Sequence, residues 1–329
     1  MRIVIPGGSG QVGTLLARHL FAHGHQVTVL SRHPRPASWH TEAWDGVTEG
    51  PWVASVQNAD AVIHLSGRTI NCRYTPEHRK ELLESRTVPT RLLGKVIAAA
   101  NTPPSIWLNA STATLYRHAL DRAQDEYTGE PADLPGERGT HEPANLPETW
   151  SFSANIGHEW EEALASVPTP KTRKIRLRTT LVMSPDPGGV FSVLSRLARL
   201  GLAGPQGNGK QYVSWMHDLD YCRATDLLLE HPEITDETDG IVNMASPDPL
   251  PNRDFNRILR HAWGRNLGLP ATSWMMEVGA FFMRTESELV LKSRRVTPGV
   301  LLRHGFEFLY PDWTQAAANL VRRSRALRH

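Results

Sequence analysis

The sequence predicts an α/β fold, a doubly wound parallel sheet with a smaller, discontinuous lobe over one end. Three observations predict it. The chain opens with a short apolar strand, residues 1–6, that runs into Gly7, Gly10 and Gly13, and Val12, Leu15, Leu16 and Leu20 then begin a helical pattern. Strand-like apolar runs return at residues 26–32, 59–67 and 105–110, with helix-patterned stretches between them. Such alternation gives parallel strands joined by right-handed crossovers and covered on both faces. Finally, 329 residues can bury a substantial core, as one large unit or two fused domains.

The elements follow in order. Gly7, Gly10 and Gly13 form a G-x-x-G-x-x-G turn between strand and helix. Placed there, the turn brings backbone N–H groups and a helix N-terminus close to a pyrophosphate, so a Rossmann-like dinucleotide site is expected. Pro6, just before it, lacks a backbone donor. The second strand, 26–32, ends in Ser31-Arg32-His33, where a NAD-preferring fold places an acidic residue for the ribose hydroxyls. An arginine suits a phosphate in charge and fork geometry, so NADP is expected over NAD. Residues 59–67 read as another central strand and 76–100 as a helix that Pro89 can bend. Residues 105–110 make the next strand. The stretch 116–149, rich in Asp, Glu, Gly and Pro, reads as a long loop beside the ligand crevice. A helix is expected at 153–165 and a single strand at 172–183.

Beyond Met183 the alternation fails. A turn at 184–189, a helix at 190–200, a strand at 211–217 leading into a helix at Asp218, and a late strand at 240–246 are expected. The domain plan is thus 1–183 mainly dinucleotide-binding, 184–239 mainly substrate lobe, 240–251 back in the main sheet, and 252–329 a C-terminal substrate-side lobe. Within the last, residues 270–283 are strongly apolar and are expected to form a helix packed against 303–310, leaving the basic tail 322–329 wet.

Composition narrows the classes. The formal charge is +2, and no wide basic patch with interleaved aromatics suggests nucleic acid. Cys72 and Cys222 are the only cysteines, too few for a disulfide framework or a metal cluster, and no metal is expected. No apolar run approaches a membrane span, and the chain opens on a strand, so a cytoplasmic protein is the expectation. His19, His23 and His25 have no acidic set around them in sequence, and a G-x-S-x-G elbow is lacking, which disfavours hydrolase chemistry.

Several further segments carry a resemblance: His64-Leu-Ser-Gly67, Ser111-Thr-Ala-Thr-Leu-Tyr116, Gly207-Asn-Gly-Lys-Gln-Tyr-Val-Ser-Trp-Met-His-Asp218, Val242-Asn-Met-Ala-Ser-Pro247, and a C-terminal run from Leu289 to Phe306. With the N-terminal turn, they resemble the atypical extended short-chain dehydrogenases/reductases, the NAD-dependent epimerase/dehydratase-like group of subfamily 39U type with its small C-terminal domain. The resemblance spans nearly the whole chain. It implies cofactor contacts from Gly7, Ser9, Gly10, Gln11, Val12 and Gly13 at the pyrophosphate and Arg32 at the adenosine phosphate. It further implies Leu65, Ser66 and Gly67 near the adenosine ribose, Asn109 and Ala110 beside the nicotinamide ribose, and Met183, Ser184 and Pro185 lining the nicotinamide pocket. Thr112 corresponds to the hydroxyl residue that supports a substrate oxygen, or else makes a local backbone bond at a strand end.

The catalytic pair departs from the pattern. Standard members use Tyr and, four residues on, Lys, whereas the corresponding helix here offers Phe152/Ile156 or Ser153/Gly157. Neither pair can do acid–base work near neutral pH. Tyr116 is therefore the expected proton donor, beside Thr112, with Arg73, Tyr74, Tyr212, Trp215 and His217 as substrate-contact candidates. His64 is expected to be a satisfied strand-end histidine. The function implied is an NADP-dependent oxidoreductase or epimerase-like enzyme for a small polar, sugar-nucleotide-type substrate. The alternative is a non-catalytic NADP-binding sensor or scaffold. The sequence fixes no oligomeric partner.

Overall fold

The structure, a computed structural model, describes residues 1–137, 139–270 and 288–327. A seven-stranded sheet forms the centre. Its strands are β1 (Arg2–Pro6), β2 (Gln26–Ser31), β3 (His40–Ala43), β4 (Ala61–His64), β5 (Ile106–Thr112), β6 (Arg173–Thr179) and, late in the chain, Ile241–Met244. Their order is β10-β6-β5-β4-β1-β2-β3, where β10 is Ile241–Met244, and all pairings are parallel. Strand order reverses between β1 and β4, and the crevice outside the carboxyl ends at that switch point is where such sheets bind ligands.

Alternation along each strand sorts the core into two layers. Ile3, Ile5, Ala61, Ile63, Ile106 and Leu108 face α1 (Gln11–Ala22), whose Leu16 and Leu20 are fully buried. Val4, Val62 and Trp107 face the other way, against Val56 of α2 (Val53–Gln57), Leu93, Val96 and Ile97 of α3 (Pro76–Ala98) and Leu164 of α4 (Glu148–Ala165). Thr75 caps α3 by accepting from the His78 N–H, Pro76 opens it, and Pro89 is accommodated inside it.

Two expectations are corrected here. The stretch 172–183 is not one strand. The chain leaves the main sheet after Thr179, Thr180 turns back to the Met244 carbonyl through both N–H and hydroxyl, and β7 (Leu181–Met183) pairs with β9 (Trp215–His217), which follows the short β8 (Tyr212–Val213). The helix expected at 153–165 begins earlier, at Glu148, behind Pro147. In addition, α6 (Asp218–Glu230) belongs to the main core: Tyr221, Cys222, Ala224 and Leu228 join the α1 layer, so the smaller lobe is tighter than 184–239.

That lobe centres on Met183, Phe191, Trp215, Phe255 and Trp313, drawn from β7, β9, α5 (Val190–Arg199), α7 (Asn252–Ala262) and the C-terminal helix Trp313–Ala326. Residues 271–283 of the apolar stretch lie outside the described residues, as do 328 and 329. The basic tail is not uniformly wet: Arg322 is exposed, whereas Arg323 reaches inward and clasps the fully buried Asp218 through two hydrogen bonds of 2.7 and 2.8 Å. Among the described residues no helix is long and apolar enough to cross a membrane.

Candidate functional site: a dinucleotide crevice and a polar pocket beside it

The glycine turn is built by close approach. Gly7 has φ +77°, and a Cβ there would sit 2.7 Å from the Ser66 backbone. A Cβ on Gly13 would sit 2.4 Å from Gly8, so this glycine lets α1 press against the turn. Gly10 is different, with its nearest neighbour at 3.9 Å, which leaves the space beside the helix start open. Gly10 is the N-cap and supplies no side-chain cap, so the first-turn N–H groups of Gln11, Val12 and Gly13 remain for an anionic ligand.

Around this turn lie the other cofactor candidates. Ser31 donates to Ser9 at 3.0 Å, which ties the end of β2, and with it exposed Arg32, to the glycine turn. Gln11 Nε2 and Ser66 Oγ are buried polar atoms without a hydrogen-bond partner among the described residues. Gln11 lies against Gly189, where a Cβ would fall within 2.0 Å of its carboxamide. Leu65 donates its N–H to the Pro6 carbonyl, and Gly67 lies over the Arg86 guanidinium. Two orphaned polar groups, an uncapped helix start and a turn that only glycine fits are what a pyrophosphate and ribose require.

Asn109 is buried, and its Oδ1 accepts from His64 Nδ1 at 2.8 Å while its Nδ2 donates to the Ala110 carbonyl. His64 has no exposed surface, and burial pushes its pKa down to about 4. It is a neutral strand-end histidine, but only half satisfied: Nδ1 is bonded, whereas buried Nε2 has no partner among the described residues, a departure from the fully satisfied ring expected. Met183 and Ser184 are fully buried, Ser184 Oγ accepts from the Asp186 N–H, and Pro185 is half-buried.

Thr112 ends β5. Its hydroxyl oxygen accepts from the Thr114 N–H at 3.1 Å and so caps the short 3₁₀ turn Ala113–Leu115, leaving the hydroxyl proton to donate elsewhere. A Cβ on Gly157 would lie 2.7 Å from the Thr112 methyl. The face of α4 that carries Ser153 and Gly157 therefore abuts Thr112. One turn further along α4, Glu161 accepts from Ser111 and from two nitrogens of Arg178.

Tyr116 is buried, and its hydroxyl donates to Asn243 Oδ1 at 3.1 Å beneath the Arg178 guanidinium. Burial raises its pKa, so as placed the phenol is a strut between β5 and β10. The substrate lobe candidates divide similarly. Trp215 has no exposed surface, donates to the Asp248 carbonyl and packs on Trp313. His217 is fully buried, accepts the Leu219 N–H as the cap of α6, faces Asn319 and stacks on Tyr310. Burial drives its pKa down to about 4. This geometry makes Trp215 and His217 framework of the lobe in place of the substrate contact expected from the sequence. Tyr212 is half-buried under Arg295, and its backbone pairs with Ser293 and Arg294.

Arg73 and Tyr74 precede α3. The Tyr74 hydroxyl lies 3.1 Å from Ser153 Oγ, and Ser153 donates to Glu288 Oε2 at 3.0 Å. Arg294 grips the other oxygen of Glu288 and donates to Thr114 Oγ1, while Lys292 donates to the Thr114 carbonyl and lies 3.7 Å from Glu142. This buried charged set was missed in the sequence because its members are far apart. Its one local signal was Glu288, Lys292 and Arg294 interrupting an apolar run. A separate cavity at the amino ends of β6 and β10, lined by Leu164, Lys174, Arg176 and Asp239, lies at the end of the sheet away from the crevice. Among the described residues no cluster of three or more metal-binding side chains occurs.

Comparison with known proteins agrees with this geometry. Residues 3–245 match the NAD dependent epimerase/dehydratase family, and residues 271–320 match a domain of unknown function, DUF1731. The chain is 30% identical to epimerase family protein SDR39U1 of Bos taurus over 325 residues, covering 98% of this chain and 100% of that one. It is 26% identical to epimerase family protein SA0724 of Staphylococcus aureus over 97% of this chain and 98% of that one. Among solved structures, human SDR39U1 with NADPH superposes with a TM-score of 0.81 at 28% identity, covering 98% of this chain and 99% of that one. With a match over most of its length and a crevice built for a dinucleotide, the chain belongs to the NAD dependent epimerase/dehydratase family.

Proposed function

We propose that this protein is an NADP-dependent oxidoreductase or epimerase-like enzyme acting on a small polar substrate of the sugar-nucleotide type. The observation that carries the cofactor reading is the set around the glycine turn: Gly7 and Gly13 at contact distance, the uncapped start of α1, and unpartnered Gln11 and Ser66. The similar human protein is described with NADPH, and Arg32, exposed at the end of β2, suits the adenosine phosphate. Gly7, Ser9, Gly10, Gln11, Val12 and Gly13 hold the pyrophosphate. Leu65, Ser66 and Gly67 take the adenosine ribose, Asn109 and Ala110 the nicotinamide ribose, and Met183, Ser184 and Pro185 wall the nicotinamide. When bound, NADP(H) accepts or supplies the hydride. Thr112 contributes a hydroxyl proton that orients a substrate oxygen. The two cysteines are free and buried, which suits a reducing, cytoplasmic setting.

A second reading, an NADP-binding sensor or scaffold, draws on the lack of a Tyr–Lys pair, where α4 offers Phe152/Ile156 or Ser153/Gly157. Fluorescence titration with NADPH and NADH, then incubation of the NADPH complex with a panel of nucleoside-diphosphate sugars, separates the readings. The expected result is tighter NADPH than NADH binding, abolished selectively by Arg32→Ala, and cofactor turnover with at least one sugar. Binding without turnover across the panel leaves the sensor. No binding of either cofactor at millimolar concentration overturns both.

A further inference from the structure

Large apolar side chains left in water are scattered singly on most surfaces. Here they gather. Six of the thirteen exposed among the described residues, Val193, Leu200, Leu202, Leu267, Leu269 and Leu327, belong to one end of the smaller lobe. Three helices stop there together. The C-terminal ends of α5, α7 and the helix Trp313–Ala326 meet at Trp263, whose ring centre lies 5.5 Å from the Arg199 guanidinium and 5.4 Å from that of Arg325. We propose that this end of the lobe is a docking surface for an anionic lipid bilayer: the leucines dip between headgroups and the arginines around them meet lipid phosphates. The proposal is independent of the enzyme reading.

The tip is rigidly built. Leu200 follows the last residue of α5, and Gly201, with φ +73°, turns the chain back. The Leu202 N–H donates to the Leu197 carbonyl at 2.9 Å. The Leu269 N–H donates to the Gly201 carbonyl at 2.8 Å, and the Gly204 N–H to the Leu269 carbonyl at 3.1 Å. Loops 200–204 and 267–269 are therefore one backbone-bonded unit. It holds its leucines outward, with Leu267 85% exposed and Leu200 62%. Val193 lies seven residues before Leu200, on the same face of α5, so the apolar strip continues along the helix. A tip whose backbone groups are bonded to each other can enter an apolar layer without stranding them.

The charge around the tip has one sign. Residues 187–217, 255–270 and 313–327 contain no Asp or Glu. Arg196, Arg199, Arg265, Arg322 and Arg325 are all exposed. None of the five has a carboxylate at ion-pair distance among the described residues, whereas Arg257 and Arg323 pair with Asp254 and Asp218. Cations at helix C-termini complement the helix dipole, which accounts for some of these arginines and for none of the leucines beside them.

The combination selects the partner. Leucine has no complement on a nucleic acid, whose exposed bases are met by stacking aromatics. A second copy related by two-fold symmetry brings the same arginines face to face. An anionic bilayer offers a negative surface and an apolar layer beneath it. Half-buried Trp263 suits the headgroup level between the two. No described helix can cross a membrane, and lying on one requires none. Gly189, at the start of α5, touches Gln11, and the 10 residues of that helix span about 15 Å. Docking at Leu200 thus leaves the dinucleotide crevice free.

The full chain is mixed with vesicles of phosphatidylcholine, or of phosphatidylcholine with roughly a third replaced by phosphatidylglycerol, and bound protein is measured by co-sedimentation. Binding should favour the anionic vesicles at least ~tenfold and fall steeply as salt rises. An arginine near such a surface contributes about fivefold, so Arg196→Gln with Arg265→Gln should weaken binding about twentyfold. Leu267→Ser with Leu269→Ser should weaken it at least ~tenfold at low and high salt alike, because insertion is not screened. Thermal melting and NADPH affinity of both double variants should match wild type, since these four side chains are exposed. A marked fall in melting temperature of the leucine variant shows that those leucines pack within the chain, and overturns the proposal. Equal binding to both vesicle types, binding that neither pair of substitutions changes, preference for a DNA duplex over vesicles, or self-association that the leucine substitutions abolish overturns it as well.

Discussion

His64 offers a sharp test of how this protein's stability is built. Its ring lies at the carboxyl end of β4 with no exposed surface, holds Asn109 through Nδ1, and has a pKa near 4 against 6.5 in the ordinary state. The folded protein therefore refuses a proton that the unfolded chain accepts. A histidine depressed in this way contributes stability that is intact above the unfolded pKa and is lost as pH falls from 6.5 toward 4. At about pH 5 linkage puts the loss at roughly 2 kcal/mol, a large share of a typical ~5–15 kcal/mol total. The assay is urea unfolding of wild type and His64→Leu at about pH 7.5 and about pH 5, where the leucine carries no titration of its own. The variant should be less stable at the higher pH, since Asn109 loses its partner, and the gap should narrow by roughly 2 kcal/mol at the lower. The difference between the two proteins is the right readout because Glu126, pushed up to about 7 by burial, works the other way in both: its stabilising neutral form is lost as pH rises. A gap that does not change with pH refutes the neutral, dry His64.

Other outcomes follow from single contacts. Gly13→Ala should force α1 off the glycine turn, where a Cβ meets Gly8 at 2.4 Å, and reduce NADPH affinity at least tenfold by titration, while Gly10→Ala, open to 3.9 Å, should fold as wild type by thermal melting. Glu161→Gln breaks a largely buried pair with Arg178 and should cost about 3–5 kcal/mol in urea unfolding. Asp218→Asn should weaken the clasp on Arg323, and hydrogen exchange should then quicken in the helix Trp313–Ala326 ahead of the main sheet.

Local patterns carried the fold well. The strands that lie inside the main sheet were legible because their apolar runs are bounded by turns, and the glycine turn because its spacing has one structural use. β3 escaped notice: His40–Ala43 is a polar edge strand, with no apolar alternation to mark it. The break at Thr180 was invisible for the opposite reason, since the apolar pattern simply continues from one sheet into another. Within the site, the cofactor half is local to short stretches after β1, β2 and β4. The chemical half is not. Thr112 could be named, yet Tyr74, Ser153 and Glu288 come together across 214 residues of sequence separation at the extremes, 135 of them between Ser153 and Glu288. Tyr116, Trp215 and His217 drew attention as reactive or aromatic residues near family motifs, but burial and partners decided their roles, and neither quantity is written in a single sequence.

That division has a physical cause. The cofactor crevice depends on backbone: a positive-φ glycine, a close helix–turn contact and uncapped amides. Few substitutions preserve such geometry, so this half of the site is written in a few short stretches of the chain. The pocket beside Thr112 depends on side chains delivered by three separate elements, and any of these can be exchanged if the hydrogen-bond chain is restored. α4 turns small residues, Ser153 and Gly157, to this side. The Tyr74 hydroxyl, from just before α3, lies beside Ser153, and Glu288 and Arg294 of the C-terminal segment complete the set. A buried carboxylate and guanidinium together cost desolvation that no stability argument favours over apolar packing. Between the α4 face and the turn after Thr112 they fix the orientation of the groups they hold, Ser153 and Thr114.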